Sequence, residues 1–101
     1  MRRIINEKTY DTEKSKFICD ISNELYTIDS GFIRAALYVT ENADFFLAGE
    51  GGADTTFAKR VGFNYIQSSN IIVVTKEEAK KWMLRACCNI DDFEKLGVYD
   101  D

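Results

Sequence analysis

The sequence contains no histidine and no proline, and only three of its 101 residues are cysteine. Without histidine, the side chain that most often serves as general base near neutral pH is missing, and a serine or cysteine nucleophile would need another activator. Cys19, Cys87 and Cys88 form no C-x-x-C pair. A closed zinc site would have to draw on carboxylates, which structural zinc sites seldom do. An odd cysteine count, two of them adjacent, speaks against a disulfide scaffold and for reduced thiols in the cytoplasm. The chain has no apolar run of about 18 residues, the length that would suggest a membrane span. Arg2 and Arg3 precede only Ile4 and Ile5 before polar sequence resumes, which is not the pattern of a secretory leader. The expectation is a cytoplasmic protein with no metal, no cofactor and no membrane contact.

What is present suffices for a core. With 46% hydrophobic and 13% aromatic residues, residues 1–101 read as a single domain that folds without staples. Repeats, linkers and low-complexity segments are absent. The net charge of -4 and pI near 4.8 argue against direct nucleic-acid binding, which favours a basic patch. The charge is unevenly spread: residues 1–16 carry +2, 17–58 carry -6, 59–81 carry +3 and 82–101 carry -3. The acidic middle segment is either a solvated surface or a face for a basic partner.

Pattern and turn chemistry predict an α+β fold. Residues 3–10 read as a small hairpin about Asn6-Glu7-Lys8. Asp11 or Thr12 suits the N-cap of a first helix, with Phe17, Ile18 and Ile21 forming its apolar face. A central hairpin, 32–49, turns at Glu41-Asn42-Ala43, where Asn42 tolerates the turn conformation. Its alternation places Ala35, Leu37 and Val39 on one face and Arg34, Ala36 and Tyr38 on the other. Residues 24–28 suggest an edge strand, and 55–61 a short helix ended by Gly62. Residues 71–74, Ile-Ile-Val-Val, read as a buried central strand. Thr75 and Glu78 then form a capping box for a helix whose stripe is Ala79, Trp82, Met83, Ala86 and Cys87, with Glu77 and Lys81 paired outside. A last helix is predicted over 89–96. The expected architecture is a small antiparallel sheet, hairpin 32–49 plus strand 71–74, packed by an N-terminal helix and C-terminal helices.

Chemistry-bearing motifs are sparse. Gly49-Glu50-Gly51-Gly52 lacks the lysine and frame of a phosphate loop, and Glu50 would repel phosphate. Glu50 and Asp54 flank these glycines as the acidic pair best placed on a loop, so carboxylate catalysis is the least favoured of three readings. Tyr26, Phe32, Tyr38, Phe45, Phe46, Phe57, Phe63 and Tyr65 are too many for so small a core to hide, which leaves two or three as surface anchors.

Taken in order, several motifs resemble those of a group of small proteins encoded by phages and mobile elements of Gram-positive bacteria. They are Tyr10-Asp11-Thr12, Leu37-Tyr38, Phe45-Phe46-Leu47, Gly49-Glu50-Gly51-Gly52, Ile71-Ile72, Thr75, Glu78-Ala79-Lys80 with Trp82, and Phe93-Glu94 with Gly97. The chain departs from that pattern at Val73-Val74 and at Phe63-Asn64-Tyr65. Small acidic proteins of such loci often inhibit host defence, anti-CRISPR proteins among them. The resemblance implies a phage or mobile-element setting more than an activity; within that setting the leading expectation is a non-enzymatic binding inhibitor of a bacterial defence nuclease, a CRISPR effector being the specific partner. Its acidic surface, Glu41, Asp44, Glu50 and Asp54 with Tyr38 as anchor, would compete there with nucleic acid. The alternative is an accessory or structural phage protein acting through homo-oligomer contacts.

Overall fold

The computed structural model describes residues 1–23 and 29–86. The chain opens as a hairpin, β1 (Arg2–Ile5) and β2 (Lys8–Asp11), joined by Asn6 and Glu7. Both turn residues have positive φ, 50° and 69°, as a type I′ hairpin turn requires. Next come β3 (Lys16–Asp20), β4 (Ile33–Val39) and β5 (Phe45–Gly51). An arm of two short strands, β6 (Lys59–Val61) and β7 (Asn64–Ile66), precedes β8 (Ser68–Val74) and the helix α1 (Lys76–Arg85). Strands β3-β4-β5-β8 form one antiparallel sheet in that order, while β1-β2 and β6-β7 are separate two-stranded pairs.

The described residues are thus mostly β, with a single helix, and the α+β expectation is overturned. Where an N-terminal helix was expected, residues 16–20 are strand β3. The cap chemistry of Asp11 is present but closes a turn instead, its Oδ1 accepting the Glu13 N–H at 2.9 Å. A bulge between Phe17 and Cys19 turns both Ile18 and Cys19 into the core, so a strand acquires a spacing that imitates a helical face. Of the C-terminal helices, α1 is the one described; the helix predicted over 89–96 and the strand over 24–28 lie outside the described residues.

Residues 55–61 form no helix either. Thr55 Oγ1 donates to the Gly52 carbonyl and accepts the Phe57 N–H, a local turn that drives Phe57 into the core before β6 begins. Gly62, at φ 63°, ends no helix but supplies the left-handed position of the β6–β7 turn. Among the described residues the Ile-Ile-Val-Val run lies at the sheet's edge and not at its centre, since β8 pairs there with β5 alone.

The central hairpin keeps its predicted faces. Ala35, Leu37 and Leu47 pack with Ile18, Phe57 and the α1 residues Ala79 and Met83 on one side of the sheet. On the other side Phe46, Ala48 and Ile71 are covered by Tyr10 and Ile5 from the first hairpin. Thr75 and Glu78 form the capping box, each side chain accepting the other's backbone N–H, at 3.1 and 2.9 Å. Trp82 is half-buried against the core, with the Arg85 guanidinium 5.6 Å from its ring centre. Glu77 pairs with Lys80 at 3.7 Å, not with the expected Lys81.

The glycine-rich motif is a packing device. Gly49 and Gly51 lie within β5, not on a loop, and a Cβ on Gly49 would overlap the Arg34 carbonyl and the Ala35 backbone. A Cβ on Gly51 would meet Thr55 Oγ1 and the Phe57 side chain, and one on Gly52 would meet the Ser30 carbonyl. These glycines let β4 and the two flanking loops close against β5.

Candidate functional site

Among the described residues, this face of the sheet is covered by the first hairpin over its β5–β8 half and is open over the rest. On the β3–β4 half the side chains are Phe17 and Asp20 from β3, and Arg34, Ala36 and Tyr38 from β4, with Glu50 of β5 at the margin. Register explains the grouping: Phe17 faces Tyr38, Asp20 faces Ala36, and Arg34 faces Glu50. The bulge in β3 is essential here, because it returns Asp20 to the face that Phe17 occupies.

Aromatic rings run across this face as a row. Phe17 meets Tyr38 edge-on with centroids 5.8 Å apart, Tyr38 stacks on Phe46 at 5.3 Å, and Phe46 meets Tyr10 edge-on at 5.5 Å. Burial falls steadily along it: Tyr10 and Phe46 are buried, Tyr38 is half-buried and Phe17 is 50% exposed. Such a gradient leaves a rigid aromatic edge at the open end, backed by the core.

Asp20 is exposed beside these rings. Its carboxylate is held below the usual aspartate pKa, first by a side-chain hydrogen bond from Ser22 and then by the Ser22 backbone N–H at 2.8 Å, with slight burial working the other way. The Ser22 Oγ in turn accepts the Ala35 N–H at 3.3 Å, so β4 helps to fix the carboxylate in place. The group is a stable negative charge at any physiological pH.

The five residues expected from sequence do not form one surface. Tyr38 and Glu50 share the open half-face. Glu41 sits at the opposite end of the sheet, exposed on the β4–β5 turn, in a depression whose wall also holds Arg2, Asp11 and Lys14. Asp44, close by, pairs with Lys8 at 3.3 Å. Asp54 is exposed on the loop after β5, where it holds Ser30 through the Ser30 Oγ–H and through its own N–H to the Ser30 carbonyl at 2.9 Å. Glu41 and Asp44 are thus separated from Glu50 and Asp54 by the length of β5, about 20 Å.

Sequence reasoning missed Phe17 and Asp20, which it assigned to a helix. Among the described residues no group of three metal-ligating side chains is assembled, and no helix is long and apolar enough to cross a membrane. Comparison with protein-family models, with curated proteins and with solved structures finds no match, so the surface itself is the ground for a functional reading.

Proposed function

We propose that this chain is a binding inhibitor of a bacterial defence nuclease of the CRISPR-effector kind, acting in the host cytoplasm without catalysis of its own. It engages the nuclease and not the nucleic acid. The observation that carries this reading is the open half-face, where Phe17 and Tyr38 lie beside Asp20 and Glu50 on strands held rigid by the sheet. Aromatic rings of this kind serve as anchors, and carboxylates around them steer the approach to a basic nucleic-acid channel. Arg34 offsets part of the charge, while Asp29 and Asp54 at the sheet's end add to it. The resemblance to small phage and mobile-element proteins supplies the class of partner.

The test is the association rate with a purified effector nuclease at two ionic strengths. Asp20→Asn with Glu50→Gln should slow association and flatten its salt dependence. Equal rates and salt slopes for wild type and a folded double variant would remove this face from the account.

A further inference from the structure

Of the described large hydrophobic side chains, Phe63 at the tip of the β6–β7 arm is the most exposed, at 95%, and Tyr65 behind it is 58% exposed. Arg60 pairs with Tyr65 across the arm, so a cation and a ring share one face of it. The Arg60 Nε–H donates to the Gly62 carbonyl at 3.0 Å, which draws the guanidinium toward the tip. From Thr55 to Lys76 the chain has no acidic residue, although its net charge is -4. The arm is a cationic, aromatic finger on an acidic protein, and that overall charge disfavours nucleic acid as its partner.

The open half-face carries the complementary chemistry at the same spacing. Phe17 and Tyr38 form one row across β3 and β4, and Asp20 and Ala36 form the next, about 7 Å farther along β4. On the arm, the Arg60–Tyr65 pair likewise follows the Phe63 tip at a two-residue step. We propose that the arm of one copy docks on the open half-face of a second, with Phe63 against Phe17 and Tyr38, Arg60 against Asp20, and Tyr65 over the small Ala36.

Handedness agrees with this pairing. The Ala35 N–H and C=O point to β3, where they meet Ser22 Oγ and the Ile21 N–H, so those of Ala36 point to β5. In the arm, Val61 and Asn64 flank a two-residue turn and exchange ladder bonds, so the N–H and C=O of Arg60 point away from β7. For L-residues these directions fix the left and right of each face. With its tip over Phe17 and Tyr38, the arm lies with β6 above β3 and β7 above β4, which sets Arg60 on Asp20 and Tyr65 on Ala36.

Within one chain the two surfaces do not meet. The arm leaves the sheet at the start of β8, the strand farthest from β3, and the first hairpin packs on the β5–β8 half between them. Phe63 and Phe17 both stay exposed. A second copy supplies both halves of the match in charge, ring placement and hand. The contact occupies the face proposed for the nuclease, so on that reading self-association and inhibition exclude one another.

Analytical ultracentrifugation without any nuclease tests this contact apart from the inhibitor reading. The wild type should gain mass with concentration. An arm variant, Arg60→Glu/Phe63→Ser, and a face variant, Phe17→Ser/Asp20→Lys, should each raise the dissociation constant about tenfold or more. An equimolar mixture of the two should nonetheless form a one-to-one complex, because it still contains one intact arm and one intact half-face. If the face variant melts early, Ala36→Arg, which fills the place of Tyr65, takes its part. A wild type that stays monomeric to millimolar concentration would overturn the proposal, whether or not its arm binds another acidic protein. So would either folded variant associating like the wild type, or a mixture that stays monomeric.

Discussion

Glu7 and Ala43 hold left-handed backbone conformations, φ 69° and 64°, that cost an L-residue about 1–2 kcal/mol and glycine little. Glu7 is the second central residue of the β1–β2 turn, and Ala43 closes the β4–β5 loop by donating its N–H to the Thr40 carbonyl. Glu7→Gly and Ala43→Gly should each stabilise the fold by about 0.5–1 kcal/mol, after the entropic cost of glycine is subtracted, as read from urea unfolding midpoints. From sequence, Asn42 was the residue expected to adopt this conformation. The neighbour does so because Thr40 ties both ends of the loop, its Oγ1 accepting the Asp44 N–H at 3.1 Å and its own N–H reaching the Asp44 carbonyl at 2.9 Å. The Asp20 carboxylate gives a second prediction at this scale. Its folded pKa is depressed, so its contribution is present above the unfolded aspartate value of about 3.9 and is lost as pH falls through the lower folded value. Ser22→Ala should move the Asp20 titration upward in a carboxyl NMR experiment and shrink the stability lost on acidification, the loss ending at higher pH. An unchanged midpoint would mean that Ser22 is not its main partner.

At the scale of elements, legibility followed the regularity of the strand. The hairpin 32–49 could be read because β4 and β5 alternate without interruption, and α1 because Thr75 and Glu78 announce its start. Strand β3 could not, since its bulge buries Ile18, Cys19 and Ile21, a spacing that a helix produces as readily. Residues 55–61 failed for a different reason: a hydroxyl turn at Thr55 outweighed a pattern too short to have a period of its own. Two predictions separate packing from pattern. Met83 is fully buried in α1 and Trp82 only half so. Met83→Ala should therefore cost about 2–5 kcal/mol and Trp82→Ala less, reversing the order that side-chain size suggests. Gly49→Ala should cost about 3 kcal/mol because the new methyl meets backbone, which cannot rotate away. A wild-type melting curve for Gly49→Ala would show that β4 and β5 are not closely apposed there.

Over the whole molecule, chain position proved a poor guide to where charge collects. The acidic segment 17–58 folds back and forth, so its carboxylates divide between the two ends of the sheet, and Lys8 from the first hairpin neutralises Asp44 at one of them. Of the residues expected from sequence, Tyr38 and Glu50 remain on one surface, joined by Phe17 and Asp20, and Asp54 borders it. Glu41→Gln with Asp44→Asn should consequently leave association with a target unchanged, at a stability cost within about 1 kcal/mol for the lost surface pair. The most direct measurement is cleavage of a matched DNA duplex by purified CRISPR effector nucleases of Gram-positive bacteria, with wild type or the Phe17→Ser/Asp20→Asn/Glu50→Gln variant added. The account predicts that the wild type suppresses cleavage by at least one such nuclease and that the variant, melting like a folded protein, does so far less. Full cleavage by every effector in the presence of wild type, or equal suppression by the variant, would contradict it.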